Sequence, residues 1–366
     1  MSHIFISMEM EVESEAKPEQ LEQEDITVID DKNVSYIVVK KLGSGSQATV
    51  YLAQEGELSN AQLLNTKHQP SPELPMYAIK VYDPSYSDQS EVEINTLLKL
   101  PNEPNLVKMT KASRGHTKVF VPRNIPQNDL DTLASWRKGH DILNDRHMVC
   151  MEYCKHGDLF EFVRNNGPIN DDSLLRYLFL QVCKGVHALH TKARLAHLDL
   201  KLENLLVGND ELLKICDFGM VMPTDDYIRK TAGTKFYCGP EVLNANGYSP
   251  YMGIPADMFS LGVVLFILAF GSPPFNVAQL SEANYRILVR TPDIFWRNHP
   301  NVKNSARGGD RLDKDLSGLI SWMLRLEPSE RPQSIEELLS HSFFTKDCNL
   351  VNALENQWSN EEELQA

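Results

Sequence analysis

The sequence predicts an α+β protein with two lobes, the first rich in strands and the second rich in helices. Before about residue 154, short runs of β-branched and aromatic residues are bounded by turn residues. Beyond that point the apolar residues recur with the three-to-four-residue spacing of amphipathic helices. With 366 residues, of which 42% are apolar and 23% charged, the chain is long enough to form two buried cores.

The first lobe opens with three predicted strands, at 35–42, 49–53 and 76–82. The first of them ends at a glycine-bearing turn, Gly43-Ser44-Gly45, and the second returns from it. Residues 55–75 are polar and rich in turn formers. Because a hairpin connection is normally much shorter, we expect an insertion there.

A helix is predicted next, since apolar residues at 92, 94, 97, 98 and 100 have amphipathic spacing. The two strands that should follow, 106–109 and 147–153, are separated by residues 111–146. A hairpin needs only a few residues between its strands, so we expect a second insertion of unknown role.

After a hinge at residues 152–154, the second lobe shows five helical patterns, at 158–163, 174–190, 258–270, 312–326 and 334–340. Residues 258–270 form the longest apolar run, about half the length of a membrane span. The run contains Ser260 and Gly262, so a buried helix is predicted and no membrane insertion is expected.

The formal charge of −14 lies mostly at the two ends of the chain. Residues 1–34 contain ten acidic and two basic residues, and residues 345–366 contain five and one. We expect an acidic disordered leader over 1–33 and an acidic tail over 345–366, either solvated or used to dock a partner. The N-terminus turns acidic at Glu9, too early for a signal peptide. The six cysteines lack metal-finger spacing, so reduced thiols in a cytoplasmic or nuclear protein are expected.

The most informative motif is the run HLDLKLEN at 197–204, followed by Asp-Phe-Gly at 217–219. An acid able to accept a hydroxyl proton lies five residues before an amide suited to a hard cation, and a second metal-seeking acid follows. The order and spacing resemble the catalytic loop and metal-binding motif of eukaryotic protein kinases. The resemblance implies the two-lobed protein kinase fold over 34–344, with an N-lobe at 34–153 and a C-lobe at 154–344.

This resemblance assigns roles in the catalytic loop. Asp199 is expected to orient the substrate hydroxyl and accept its proton, and Lys201 to stabilise the transferring phosphoryl group of ATP. Asn204 and Asp217 are expected to hold Mg²⁺. Thr234 matches the residue that bonds Asp199 and Lys201 in serine/threonine enzymes.

Other matches concern the first lobe. Lys80 resembles the strand lysine that contacts the α- and β-phosphates, and its expected partner is Glu93 rather than Glu91 because Glu93 places the apolar Leu97 one turn later. The nucleotide contacts implied by the resemblance are Leu42, Gly43, Ser44, Gly45, Val50, Ala78, Lys80, Met151, Glu152, Cys154, Asp158, Leu206 and Asp217. Ala48 stands at the position where the family has the third glycine of its glycine-rich loop. Helix capping is an equally good interpretation of Asp158.

A second departure is Leu198, where many kinases have an arginine that receives a phosphate on the activation segment. Without that receiver, activity without phosphorylation is expected. The segment ends at Gly239-Pro240-Glu241, with Gly239 in place of the usual alanine. Glu241 is expected to pair with Arg331, and Asp257 to hold the catalytic-loop backbone.

The sequence thus predicts an ATP- and Mg²⁺-dependent serine/threonine kinase, most similar to the calmodulin-dependent and Snf1-like kinases. A pseudokinase or scaffold is the alternative, motivated by the insertions, the acidic ends, Leu198 and Ala48. Lys80, Asp199, Asn204 and Asp217 are all present, which favours the enzyme. Protein substrates are expected, with an upstream arginine facing Asp158 and Glu203. Neither nucleic acid nor membrane is expected as a partner.

Overall fold

The computed structural model of the protein describes residues 27–345, except 31, 33, 46, 57–73, 123–139 and 246. Two compact units divide the chain. The first contains the described residues up to Lys99, Val107–Lys155 and Gly208–Glu211, and the second contains Leu100–Leu106, His156–Val207 and the described residues from Leu212 onward. A strand-rich unit and a helix-rich unit confirm the predicted two-lobed α+β fold.

Among its described residues, the first unit contains six antiparallel strands and one α-helix. The strands are β1 (Thr27–Ile29), β2 (Ser35–Ser44), β3 (Ala48–Gly56), β4 (Met76–Tyr82), β5 (Met109–Pro122) and β6 (His140–Glu152), and the helix is α1 (Ser87–Leu97). The strand order β1-β2-β3-β4-β6-β5 closes into a barrel, because β1 pairs with both β2 and β5. Its core combines Val28, Tyr36, Val38, Ala53, Ile79, Val81, Met148 and Cys150.

The barrel begins earlier than the sequence indicated. Residues 1–33 were expected to form a disordered leader, whereas Thr27–Ile29 is a strand. Val28 lies fully buried in the core, and the Asp30 carboxylate accepts hydrogen bonds from the amides of Lys32 and Val34 and pairs with Lys111. Only three residues are paired, too few for an alternating pattern to be visible in sequence.

Parts of the second predicted insertion are strands, while residues 123–139 within it lie outside the described residues. Residues 111–146 were expected to interrupt a strand pair, but β5 and β6 themselves extend into this range and pair as far as Pro122 and His140. Leu106, predicted as the start of the strand, instead forms a bridge with Ile215 in the second unit. Most of the first predicted insertion, residues 57–73, lies outside the described residues, as does the acidic tail beyond residue 345.

Short strand pairs and helices build the second unit. The strands are β7 (Leu195–Ala196), β8 (Leu205–Val207), β9 (Leu213–Ile215), β10 (Met222–Pro223), β11 (Tyr227–Ile228) and β12 (Tyr251–Met252). The helices are α2 (Leu159–Asn166), α3 (Asp172–Ala188), α4 (Pro240–Leu243), α5 (Gly253–Phe270), α6 (Ala283–Arg290), α7 (Pro292–Asn298), α8 (Pro300–Lys303), α9 (Lys314–Met323), α10 (Ile335–Leu339) and α11 (Ser342–Thr345).

Helix α5 is the centre of this unit. By length and composition it is the one helix in the described part of the chain that could cross a membrane, and 94% of its apolar window is buried within the protein. Its apolar residues face neighbours on all sides, which is the pattern of a core helix. It therefore provides a rigid support for the loops that pack on its N-terminus.

Candidate active site

The glycine-bearing turn lies between β2 and β3 in the first unit. Gly43 pairs with Val50 and Ser44 with Thr49, and the amide of Gly45 donates to the carbonyl of Ala48 at 2.9 Å. A Cβ added at Gly43 or Gly45 would meet nothing within 4 Å. The backbone of this turn is therefore open to close approach by a ligand such as a phosphate. Leu42 before the turn is 40% exposed.

Lys80 and Glu93 form an ion pair in the same unit. The Nζ atom of Lys80 lies 2.8 Å from Oε1 and 2.9 Å from Oε2 of Glu93, whose side chain is 4% exposed. Lys80 also lies directly across from Val50, which is on β3, the strand that returns from the glycine-bearing turn. The pair holds the lysine ammonium at a fixed position on β4. Glu91 instead pairs with Arg114 on the outer side of α1.

The predicted adenine contacts lie on β4 and at the end of β6. Ala78 pairs across the sheet with Met151. The amide of Glu152 donates to the carbonyl of Lys108, and its side chain accepts from the Lys108 amide at 2.8 Å. The Glu152 side chain thus has a structural role, and its carbonyl is the group that the adenine assignment requires. Cys154, two residues on, is buried.

The second unit contains the catalytic loop, which is held from below by Asp257 near the start of α5. Its fully buried carboxylate accepts hydrogen bonds from the amides of His197 at 2.7 Å and Leu198 at 2.8 Å. His190 contacts the same carboxylate through Nε2 at 2.8 Å. These bonds satisfy the buried carboxylate and fix the loop backbone, including Leu198 at a left-handed φ of 65°. His190 was missed in the sequence because only the fold brings it to Asp257.

Asp199 is at the centre of a hydrogen-bond network. Its Oδ1 accepts from the amide and the hydroxyl of Thr234, each at 2.7 Å. Its Oδ2 accepts from Lys201 Nζ at 2.7 Å and more distantly from Asn204 Nδ2 at 3.3 Å. Lys201 also donates to the Thr234 hydroxyl at 3.0 Å. The network fixes the carboxylate orientation and places an ammonium beside it.

His197 joins the catalytic loop to the metal-binding motif. Its Nδ1 accepts from the amide of Asp199 at 3.2 Å, so the proton lies on Nε2, which donates to the carbonyl of Cys216 at 3.1 Å. The amide of Cys216 in turn donates to the carbonyl of Asn204. Asn204 and Asp217 are thereby brought together, although they lie thirteen residues apart.

The residues assigned to the metal fit a hard cation. Asn204 donates through Nδ2 to the Asp199 carbonyl at 2.8 Å, which directs its amide oxygen to the other side. Asp217 is exposed at a left-handed φ of 62°, while the adjacent Phe218 is buried beside the His197 ring. No group of three or more His, Cys, Asp or Glu ligands occurs in the described residues. Two oxygen donors completed by phosphate and water suit Mg²⁺.

Asp158 and Glu203 have local partners. Asp158 caps helix α2, since its Oδ1 accepts from the Glu161 amide at 2.8 Å, and burial raises the pKa of its carboxyl group. It also forms a bridge with Leu206 on β8, so these two predicted nucleotide contacts are neighbours. Glu203 is exposed and bonds the side chain of Tyr237, whose pKa is raised by burial and then by this carboxylate.

The segment from 217 to 241 is held by two strand pairs and an apolar cluster. β10 pairs with β7, and β11 pairs with β12. Leu198 lies in a cluster that we call the Leu198 cluster, formed with Ala196, Ile228, Ala232, Cys238, Val242, Tyr251 and Ala256. Gly233 at φ 82° passes close to the Leu198 carbonyl, which an added Cβ would approach to 2.2 Å. Apolar packing therefore takes the place of a charged residue at position 198.

The end of this segment is fixed by a buried ion pair. Arg331 donates to both carboxylate oxygens of Glu241, at 2.6 and 2.8 Å, and is 1% exposed. It also donates to the carbonyls of Pro255, Arg325 and Leu326, so all five N–H donors of the guanidinium are used. These contacts have a structural role.

A family model for the protein kinase domain matches residues 36–344 of the chain. Among similar proteins, NUAK family SNF1-like kinase 2 of Homo sapiens is 31% identical over 206 residues, covering 55% of this chain and 30% of that protein. The probable cell cycle serine/threonine-protein kinase CDC5 homolog of Encephalitozoon cuniculi is 29% identical over 328 residues, covering 87% and 57%.

The mitosis inducer protein kinase cdr1 of Schizosaccharomyces pombe is 33% identical over 209 residues, covering 56% of this chain and 32% of that protein. The matched part of the chain thus spans between 30% and 57% of the length of these relatives.

Proposed function

The chain belongs to the protein kinase family, and from that premise we propose that it is an active serine/threonine kinase that transfers the γ-phosphoryl group of ATP to protein hydroxyls. The observation that carries the proposal is the network around Asp199, in which Thr234 and Lys201 hold the carboxylate from two sides. A protein that used this fold only for binding would have no need of such an arrangement.

The two oxygens of Asp199 have different capacities to accept a proton. Oδ1 already receives two bonds of 2.7 Å, whereas Oδ2 receives one short bond from Lys201 and a long one from Asn204. Oδ2 is therefore the atom that orients the substrate hydroxyl and accepts its proton. Lys201, bonded to the same oxygen, places positive charge where the transferring phosphoryl group becomes more negative.

Each unit contains residues that the proposal assigns to ATP or its metal. Lys80, fixed by Glu93, contacts the phosphates, and the open turn at Gly43 and Gly45 offers backbone amides. Asn204 and Asp217 are the residues that would hold Mg²⁺. When bound, the cation supplies electrostatic stabilisation of the phosphate oxygens.

Substrates with an upstream arginine fit the acids of the second unit. Glu203 is an exposed residue of the catalytic loop, and its bond to Tyr237 limits the positions of its carboxylate. A guanidinium paired with a carboxylate makes charge-assisted hydrogen bonds. Peptides with arginine before the acceptor should therefore be better substrates than alanine versions, by about 1.5–3 kcal/mol in kcat/KM.

The test is a peptide array incubated with the full chain and MgATP, beside Asp199→Asn as the inactive control. Phosphorylation of serine or threonine peptides by the wild type alone supports the proposal. If the wild type and the control are equally inactive while ATP still binds, the fold is used as a scaffold and the proposal is wrong. Glu203→Lys tests the arginine preference separately, because an unchanged preference would remove Glu203 from substrate selection.

A further inference from the structure

The base of the β5–β6 hairpin has an irregular register that brings it to helix α1. Ser113 pairs with Met148 and Thr117 with Arg146, so a step of four residues on β5 faces a step of two on β6. The extra residues form a bulge in which Gly115 has a left-handed φ of 73°. The bulge carries Arg114, and His147 lies opposite it on β6.

His147 makes a bond to the buried side of α1. Its Nδ1 lies 2.7 Å from the hydroxyl of Ser90, which is fully buried. That hydroxyl donates its only proton to the carbonyl of Ser87 at 2.8 Å, so the imidazole nitrogen must be the donor.

Arg114 makes a second connection, on the outer side of the same helix. Its Nε donates to Glu91 at 3.1 Å and its Nη2 donates to Asn95 at 2.8 Å. Both side chains of this ion pair are about two-fifths exposed, at 43% and 41%, so the pair contributes less than the buried bond from His147.

These contacts lie on both sides of Glu93 along the helix. Ser90 is one turn before it, and Asn95 is about half a turn after it. Helix α1 has only 11 residues, and its N-cap residue, Tyr86, makes no side-chain capping bond. A helix this short depends on tertiary contacts for its position.

We propose that the base of the β5–β6 hairpin is a clamp that positions α1, with His147 and Arg114 as positioning residues that keep Glu93 paired with Lys80. The inference rests on the proposed function, because it gives the extended hairpin a role in preparing the ATP-contacting lysine. Any partner that moved the hairpin would then change the Lys80–Glu93 pair and the rate of phosphoryl transfer.

The test combines variants of the clamp with two measurements. His147→Ala should lower kcat for peptide phosphorylation about tenfold, and Arg114→Ala about twofold to threefold. In the protein without nucleotide, an amine-directed reagent should label Lys80 faster in both variants, because an ammonium that loses its carboxylate partner deprotonates more readily. The labelling is read by mass spectrometry and does not depend on turnover, so it remains informative if the chain shows no kinase activity.

Three controls separate positioning from general loss of stability. His147→Asn keeps a side-chain N–H donor and should restore much of the activity and the slow labelling. Arg325→Ala removes an exposed arginine that pairs with Glu330 in the second unit and should change neither measurement. In a Glu93→Gln background, His147→Ala should have little further effect on Lys80 labelling, since both changes act through one carboxylate.

Unchanged Lys80 labelling in both clamp variants would overturn the proposal. So would equal, additive effects of His147→Ala in the wild-type and Glu93→Gln backgrounds, because the histidine would then act independently of the ion pair.

Discussion

Asp217 combines an exposed carboxylate with a left-handed backbone conformation. Aspartate and asparagine tolerate this conformation better than most residues, so the two can be exchanged there with little strain. Asp217→Asn should therefore abolish MgATP-dependent phosphoryl transfer and leave the melting temperature close to that of the wild type. Peptide phosphorylation measured beside a thermal melt checks this, and turnover near the wild-type rate would remove Asp217 from the metal site.

Individual site residues were the most predictable feature of the protein, because a sequence motif specifies both residue type and spacing. The sequence favours Glu93 over Glu91 because Glu93 places the apolar Leu97 one turn later, and Glu93 is the residue that bonds Lys80. Where this chain lacks a residue that the family usually has, the role of the replacing residue was harder to predict. Leu198 was recognised as the loss of a charge, but its burial in the Leu198 cluster depends on Ile228, Ala232 and Tyr251, which only the folded chain brings together.

At the scale of elements, the segment from 217 to 241 resembles the family's activation segment. Two strand pairs, the Leu198 cluster and the Glu241–Arg331 ion pair hold it along its length. Thr231 is exposed beside Arg229, and the guanidinium of Arg229 donates to the carbonyl of Gly247.

Thr231→Ala should therefore reduce activity less than about tenfold, or about 1.4 kcal/mol of transition-state stabilisation. Peptide phosphorylation rates of this variant and of phosphatase-treated wild type give the comparison. A loss of a hundredfold or more in both samples would show that phosphorylation controls the enzyme through another receiver.

Strand β1 provides a second prediction for an element. A chain that begins at residue 34 lacks Val28 and the carboxylate of Asp30 that pairs with Lys111. This truncation should lower the free energy of unfolding of the first unit by at least the contribution of one buried valine side chain, which is about 1.5–3 kcal/mol. Chemical denaturation followed by tyrosine fluorescence measures the loss, and a chain that begins at residue 26 is the matched control. Equal stability of the two chains would mean that β1 does not support the barrel.

Elements were less predictable than residues for a physical reason. A three-residue strand has no measurable period, and β5 and β6 pair through a bulge that breaks the alternation of inward and outward residues. The segment that follows α1 was also difficult to predict, because its position depends on distant residues. Residues 100–106 belong to the second unit because Asn105 donates to the Leu213 carbonyl and Leu106 bridges Ile215, contacts between residues about a hundred positions apart.

At the scale of the molecule, two histidines with lowered pKa values make stability depend on pH. His299 is 5% exposed, donates through Nε2 to the Pro274 carbonyl and packs against Phe266 and Phe295. Burial lowers its pKa below the ordinary 6.5. Burial also lowers the pKa of His341. The unfolded chain therefore binds more protons than the folded chain in the mildly acidic range.

The stability that these neutral histidines provide is complete above about pH 6.5 and is lost as the pH falls through their lowered folded-state values. The melting temperature should fall between about pH 7.5 and about pH 5.5. His299→Gln keeps an N–H donor for Pro274 without a titrating group, so its melting temperature should fall less over this range. A fall identical to that of the wild type would exclude His299 as a contributor.

The closed barrel of the first unit has a consequence for how other proteins can recognise it. An open sheet presents an edge of unpaired amides and carbonyls, to which an extended segment of another chain can add as a further strand. Here β1 pairs with β2 on one side and with β5 on the other, so over its paired length the described sheet has no such edge. Over these three residue pairs on each side of β1, strand addition is blocked and recognition depends on side chains, whereas residues 38–44 of β2 and 109–117 of β5 have no β1 partner among the described residues.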